Sequence, residues 1–239
     1  MASPAYEQIL EVQALDLNLT QLRHRLVTHP LRQQVAAAQK AVHDVQEVSG
    51  EIEDRRHQLD RNLKKLSDEV ETIEAKRTQV DGKLYDGSVT GTKELLALQD
   101  EAAGLLDRQR GLEDQELEIM EQLELIDAEL ASARAELETA EAASRNVDDE
   151  LRAAAAEIEA EIEAVEQERA RTAAPAVPEL LARYEALSGQ FDGVAVARLV
   201  DGRCDGCHMQ LSAVAVDQLG KAPEDAVVTC EECGRLLVR

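Results

Sequence analysis

The stretch DGKLYDGSVTGTKEL, residues 81–95, decides the fold, because its three glycines interrupt two long helical patterns. Three glycines within ten residues end a helix and permit the chain to reverse direction. Thr92 is a candidate N-cap for the next helix, and Glu94 follows in the first turn, where a negative charge is favourable. The stretch therefore predicts the tip of a helical hairpin, at residues 84–92.

On both sides of this tip, apolar residues recur at alternating steps of four and three, the spacing of a coiled coil. Before the tip, thirteen of sixteen such positions from Leu31 to Leu84 are apolar, where composition alone would give about seven. After it, seventeen of twenty-one positions from Leu95 to Val165 are apolar. The two seams predict helices at 30–83 and 93–172. We favour an intramolecular antiparallel hairpin over a parallel dimer, and a monomer or weak dimer as the oligomeric state.

Polar residues within the seams support this pairing. If the chain folds back near residues 88 and 89, residues whose numbers add to about 177 face one another. The predicted pairs are Arg77 with Asp100 and Glu101, Arg56 with Glu121, and Arg61 with Glu116. Such pairs fix the register more than they stabilise the hairpin, since exposed ion pairs are worth only ~0–1 kcal/mol.

The pattern breaks at both ends of the seams. His29-Pro30 interrupts the first one, and because Pro30 lacks an amide proton we expect a kink or a fresh helix start there. The residues before it predict a separate short helix at 4–28 that packs against the far end of the second arm. Beyond residue 172, Pro178 can begin a further short helix, and GVAVARLVDG at 193–202 has the pattern of a strand. The predicted domains are a hairpin at 1–172 and a small second domain at 173–239.

Composition argues against an ordinary compact globule, because the bulky aromatic residues of a usual core are nearly absent. The chain has one Phe, three Tyr and no Trp, and its net charge is -23. Residues 93–172 hold 24 acidic side chains against 8 basic ones. This negative charge opposes simple electrostatic binding to the phosphate backbone of nucleic acid. The acidic arm is either a solvated helix surface or a surface that attracts a basic partner.

No segment is typical of export or of a membrane span. The N-terminal residues lack a basic head followed by an apolar core, and no run approaches ~18 apolar residues. The sequence therefore predicts a cytoplasmic protein that does not contact a membrane.

Two Cys-x-x-Cys pairs, Cys204 with Cys207 and Cys230 with Cys233, are the strongest chemical signal in the chain. In a reducing compartment such pairs indicate a metal rather than a disulfide, and four thiolates suit tetrahedral zinc. The 22-residue spacer is slightly long, and a short helix in SAVAVDQLG at 212–220 would absorb the excess. A redox dithiol and unbound thiols remain alternatives.

The residues around the cysteines refine this prediction. Gly206 and Gly234 stand where a turn around sulfur needs an unusual backbone angle. His208 could replace a cysteine as a ligand, although with four cysteines we interpret it as a neighbouring residue. Four thiolates leave no position for an activated water, and no phosphate loop or catalytic triad is recognisable, so we expect no enzyme activity.

Three stretches together resemble a known family: LYDGSVTGTKELLALQDE at 84–101, GVAVARLVDGRCDGCHMQL at 193–211 and VVTCEECGRLL at 227–237. They are similar to the bacterial C4-type zinc-ribbon family with an N-terminal coiled-coil hairpin. The resemblance implies a mainly α fold, a long kinked antiparallel coiled-coil hairpin followed by a small C-terminal β-rich zinc ribbon with one structural zinc ion. Relatives in flagellated bacteria bind an alternative sigma factor, act in flagellar gene control and contact messenger RNA, but nothing in this sequence indicates a flagellum.

Three functional hypotheses follow. The first is a non-enzymatic adaptor or chaperone-like regulator that binds protein partners through the coiled coil and the ribbon, with Tyr85 and Val89 displayed at the tip. The second is a regulator that binds RNA or DNA through ribbon arginines; the candidates are Arg198, Arg203, Arg235 and Arg239. The ribbon has no aromatic residue on which a base could stack, which weakens this alternative. The third is an architectural spacer without partners.

Overall fold

The structure, a computed structural model, describes residues 4–223 and 226–238. It is mainly α-helical, as predicted, with a long helical hairpin and a short sheet near the C-terminus. The elements in chain order are α1 (Pro4–Val27), α2 (Leu31–Tyr85), α3 (Thr92–Ala173), α4 (Pro178–Ser188), β1 (Val196–Val200), β2 (Arg203–Cys204), α5 (Ala213–Lys221) and β3 (Leu236–Val238).

The described residues form two compact units. The hairpin unit is Gln33–Asp148, and the ribbon unit combines the residues up to Arg32 with those from Asp149 onward. The ribbon unit thus holds α1, the last part of α3 and everything that follows. The division into domains at 1–172 and 173–239 stays a prediction.

In the hairpin unit, α2 and α3 pack antiparallel through the two predicted seams. One cluster of buried side chains lies nearer the turn and another lies farther from it. Their buried members are Ile73, Val80, Leu105 and Leu112 in the first cluster, and Ile52, Ile126, Leu130 and Ala133 in the second. Because the seam is narrow and aliphatic, this unit needs none of the bulky aromatic residues that the sequence lacks.

Among the described residues, the ion pairs predicted for Arg56, Arg61 and Arg77 across the hairpin are not formed. Arg56 pairs with Asp127 at 2.6 Å rather than with Glu121, and Arg77 donates to the side chain of Gln109 at 2.8 Å rather than to Asp100 or Glu101. Side chains on a helix lean toward its N-terminus, so those of the two antiparallel helices lean in opposite directions. Arg56 and Arg77 therefore meet partners farther along α3 than the predicted register gives, whereas Lys76 pairs with Glu101 at 3.1 Å, in agreement with that register.

The tip follows the glycine pattern with one correction. Gly87 has a φ of 76°, and the backbone N–H of Ser88 donates to the side chain of Asp86 at 2.8 Å. The carbonyl of Gly91 accepts the first helical bonds of α3, from the N–H groups of Glu94 and Leu95. Gly91 therefore takes the capping position that we predicted for Thr92, and Thr92 is already the first helical residue.

The predicted interruption at His29-Pro30 is present as a fresh helix start. The first helix ends at Val27, three residues before Pro30, and the second begins immediately after that proline. The side chain of Arg32 donates to the carbonyl of Leu26 at 3.1 Å, which satisfies a backbone acceptor at the end of α1.

Helix α1 contributes to the main core of the ribbon unit. Its buried residues Tyr6, Ile9 and Val12 share one cluster with residues of α4, β1 and β3. Tyr184 on α4 is fully buried there, and its hydroxyl donates to Asp16 at 2.8 Å. Asp16 also receives a hydrogen bond from Arg169 of α3 at 2.8 Å. Burial and the bond to Asp16 raise the pKa of Tyr184 above its ordinary value.

The sheet has the order β2-β1-β3. Strand β1 pairs antiparallel with β2 through Leu199 and Cys204, and parallel with β3 through Val196 and Leu236. A second buried cluster joins the sheet to α5 and to the cysteines. This small core positions both cysteine pairs.

Candidate metal centre

The two cysteine pairs lie in turns of matching geometry. In the first turn, His208 donates its backbone N–H to the carbonyl of Cys204 at 2.7 Å, and in the second Gly234 donates to Cys230 at 2.8 Å. Each turn is closed by a further bond, from Cys204 to the carbonyl of Met209 and from Cys230 to that of Arg235. The turns thus hold each pair of thiols in the same way.

The four sulfur atoms converge on one point. The Sγ atoms of Cys204 and Cys233 are 4.0 Å apart, those of Cys207 and Cys230 are 3.9 Å apart, and all four lie within 4.8 Å of one another. A zinc ion with bonds of ~2.3 Å to four sulfurs gives a tetrahedron with edges of about 3.8 Å. The residues therefore fit one structural zinc ion.

Burial and nearby donors set the pKa values of the thiols. Burial raises the pKa of Cys204 to about 12, although the backbone N–H groups of Cys207 and Gly206 donate to its sulfur. Burial likewise opposes ionisation of Cys233, but hydrogen bonds from the backbone and side chain of Arg235 and from neighbouring thiols outweigh it and lower its pKa to about 7. A bound zinc ion favours the thiolate at every ligand.

The predicted unusual backbone angle is present at Gly234 but not at Gly206. Gly234 has a φ of 79°, in the region that favours glycine, but the residue at the matching place in the first turn is His208, with a φ of 61°. Gly206 is needed for space instead, because a Cβ there would lie 2.6 Å from Cδ of Arg235 and 2.9 Å from Cβ of Ala197. His208 is exposed beside the ligands.

Comparison with known proteins agrees with this geometry. A model of the CT398-like coiled-coil hairpin domain matches residues 12–192, and a C4-type zinc ribbon model matches residues 203–237. The chain belongs to the CT398-like family. The family resemblance predicted from the sequence is confirmed, together with the zinc ribbon.

Relatives of this CT398-like chain cover nearly its whole length. The uncharacterized protein Rv2229c of Mycobacterium tuberculosis is 31% identical over 97% of this chain and 94% of its own. A solved structure from Mycobacterium smegmatis has a TM-score of 0.84 at 20% identity and covers all of both chains. The structure of CT398 from Chlamydia trachomatis has a TM-score of 0.70 at 24% identity, covering 98% of this chain and 96% of that one.

Two of the candidate arginines are held by intramolecular contacts. Arg198 forms two hydrogen bonds of 2.6 Å with the carboxylate of Glu7 on α1. Arg235 lies over the ring of Phe191 at 4.5 Å and donates to the carbonyl of Val194 at 2.6 Å. In the CT398-like chain, both side chains therefore form contacts within the ribbon unit.

The other candidates have different surroundings. Arg203 is exposed, in an open cleft that it shares with Asp201, Asp205 and His208. Arg239 lies outside the described residues. At the tip, Tyr85 is 87% exposed, whereas Val89 is half-buried. Their roles as partner contacts stay predictions.

Sequence reasoning missed how α1 binds the ribbon. The buried side-chain amide of Gln13 bonds to both backbone polar groups of Val196, and the hydroxyl of Tyr6 donates to the carbonyl of Ala226 and accepts from the N–H of Val228. The available signal was a polar residue, Gln13, directly after Val12 on the apolar side of α1.

Within residues 4–223 and 226–238, every helix is too short or too polar to cross a membrane.

Proposed function

We propose that the chain is a non-enzymatic adaptor that binds a protein partner through its hairpin and its zinc ribbon. Four cysteine ligands close the coordination of a zinc ion, so the metal has no position for a reacting water. The matching family descriptions name a coiled-coil hairpin and a zinc ribbon, and neither names a reaction. A non-enzymatic regulatory or adaptor role fits both domains.

The observation that carries this proposal is the exposure of Tyr85. It is the last residue of α2, directly before the glycine-rich turn, and 87% of its surface is accessible. A helical reversal needs glycines but has no need of an exposed aromatic side chain. Tyrosine is enriched in protein interfaces, because its ring supplies contact area and its hydroxyl a hydrogen bond. The tip is therefore the first place to test for partner binding.

Nucleic-acid binding through the ribbon has less support. Three of the four basic side chains described there are already engaged: Arg198 by Glu7, Arg235 by Phe191, and Lys221 by Asp217 at 2.5 Å. Arg203 is exposed, but Asp201 and Asp205 share its cleft and reduce its attraction for phosphate.

Affinity capture from the native host, with nuclease treatment, tests the adaptor role. We expect a protein to remain bound after nuclease treatment, to be lost with Tyr85→Ala and to be retained with Tyr85→Phe, which keeps the ring. Val89 is not substituted in these variants, because its half-buried side chain belongs to the turn.

Three results would count against the proposal. Loss of every captured protein on nuclease treatment would favour nucleic-acid binding. Equal recovery with wild type and Tyr85→Ala would remove the tip from the binding site. Recovery of no partner under any condition would favour the architectural spacer.

A further inference from the structure

Helix α3 carries a second apolar surface that the hairpin does not bury. Leu117, Met120 and Leu125 are 59%, 49% and 68% exposed, respectively. At ~100° per residue these three lie within an arc of about 140°, and Leu117 lies opposite Ile126, which is buried in the seam. Together with the exposed acidic residues between and beside them, they form what we call the outer face: Asp114, Leu117, Met120, Glu121, Glu124 and Leu125.

The outer face has a strong negative charge. Residues 111–133 contain eight acidic side chains and no lysine or arginine. The arginines of α2 that reach this part of α3 bind other carboxylates, Arg55 pairing with Glu129 and Arg56 with Asp127. In the part of the chain that the structure describes, Asp114, Glu121 and Glu124 have no ion-pair partner. Three free carboxylates thus lie among three exposed apolar side chains.

The charge selects among the occupants that an exposed apolar surface can have. A second copy of the chain would bring its own acidic face against this one, and like charges in contact oppose binding. Nucleic acid and anionic lipid surfaces are negative as well and are repelled for the same reason. A partner with lysine or arginine beside its apolar residues is favoured in two ways. Its positive charges are attracted by the carboxylates, and its apolar residues bury the exposed apolar side chains of α3.

The shape of the surface selects a helix. The outer face belongs to a continuous helix, whose backbone groups are bonded internally and offer nothing to an added strand. Its apolar residues follow helical spacing, which matches the ridge of an amphipathic helix laid alongside. From Asp114 to Leu125 the outer face is ~18 Å long, enough for about three turns of a docked helix.

We propose that the outer face of α3 docks a basic amphipathic helix of a protein partner. This inference rests on the proposed adaptor function and adds a binding surface distinct from the tip. The apolar ridge of the partner packs on Leu117, Met120 and Leu125. Its flanking lysines or arginines pair with Asp114, Glu121 and Glu124.

Photo-cross-linking in the native host tests the surface on the full chain. The photoreactive amino acid p-benzoylphenylalanine replaces Ala128, which is exposed one turn beyond the outer face and leaves all six of its residues intact. A matched probe replaces Ala75, which is exposed on α2. We expect adducts at 128 but not at 75, and we expect the cross-linked partner peptide to be rich in lysine or arginine with helical apolar spacing.

Substitutions within the outer face supply the second readout. Leu117→Gln combined with Leu125→Gln removes apolar surface at exposed positions and leaves the charge unchanged, so the hairpin should fold. We expect this pair to reduce the adduct at 128 at least about tenfold, since two buried apolar contacts are lost. Leu96→Gln, at another exposed leucine of the same helix, 57% accessible, should leave it unchanged.

Several results would overturn the inference: adducts with a second copy of the chain, adducts as frequent at 75 as at 128, or no effect of the double substitution. If affinity capture retains a protein but position 128 gives no adduct, this surface is wrong and the adaptor function stands. If capture retains no protein, the adaptor function itself fails, and the inference fails with it.

Discussion

The side-chain amide of Gln13 binds Val196 as a neighbouring strand would. Its Nε2 donates to the carbonyl of Val196 at 2.9 Å, and its Oε1 accepts from the N–H of Val196 at 2.7 Å. Both residues are buried, and on the other side of β1 the N–H of Leu236 bonds to the carbonyl of Ala195. Helix α1 thus completes the hydrogen bonding of a strand that lies 183 residues farther along the chain.

Removing this amide should destabilise the ribbon unit. Gln13→Ala leaves a buried donor and a buried acceptor of Val196 unpaired, and we expect the free energy of unfolding to fall by about 2–4 kcal/mol. Hydrogen exchange of the Val196 amide measures this directly, because its protection should drop sharply. Gln58→Ala, at an exposed glutamine of α2, is the control and should leave that protection unchanged. Unchanged protection in Gln13→Ala would contradict the role of this side chain.

The metal centre should depend on the cysteines and not on His208. Protein purified without chelator should contain one zinc ion per chain by atomic emission, and Cys207→Ser should lower this below about half an equivalent, because three thiolates bind far less tightly than four. His208→Asn removes the imidazole, and asparagine tolerates the positive φ at this position, so zinc should be retained. Loss of zinc in His208→Asn would indicate that the histidine is a zinc ligand.

Each metal turn contains one residue with a positive φ, His208 in the first turn and Gly234 in the second. Substitutions at these two positions should therefore differ in their effect on stability. Gly234→Ala puts a Cβ at a φ of 79° and should cost about 1–2 kcal/mol. His208→Gly relieves the same strain in the first turn, so we expect little change or a small gain in stability. Thermal unfolding of the zinc-loaded proteins measures both effects, and equal destabilisation by the two substitutions would show that the turns do not share this geometry.

Gly206→Ala should disturb the same centre for a steric reason. The added methyl group meets Arg235 and Ala197, and Arg235 cannot move away without leaving the ring of Phe191. We expect lower stability of the zinc-loaded protein than in Gly220→Ala, because nothing lies within 4 Å of a Cβ at Gly220.

The ion pair between Glu7 and Arg198 should respond to acid. The hydrogen bond from Arg198 lowers the pKa of Glu7 below 4.5, so the pair stabilises the fold above about pH 4.5 and this contribution is lost as the pH falls through the lower value in the folded state. An NMR titration should show the pKa of Glu7 rising toward 4.5 in Arg198→Gln. Arg203→Gln is the matched control and should leave it low.

The elements with periodic or spaced signals could be predicted from the sequence. The heptad seams predicted the two long helices to within one or two residues at each end, and the proline at 30 predicted the break between α1 and α2. The two cysteine pairs predicted the structural zinc site, because the chemistry of four thiolates restricts the metal and its geometry.

The remainder depends on contacts that have no local signal. The ion pairs of the hairpin depend on how far each arginine extends along its helix, which residue numbering alone does not give. The candidate arginines of the ribbon were predicted from charge, but Arg198 and Arg235 have partners, Glu7 and Phe191, that only the fold brings near. Likewise, nothing close to Gln13 in the sequence indicates Val196.

The bond between Tyr6 and Ala226, separated by 220 residues, has a consequence for synthesis on the ribosome. At ~5–20 residues per second, Ala226 is made roughly 10–45 seconds after Tyr6. The apolar side chains of Tyr6, Ile9 and Val12 have no native partner in the ribbon during that interval. The hairpin unit, by contrast, is complete once Asp148 has emerged. It can therefore fold before α1 makes its contacts with the C-terminal residues.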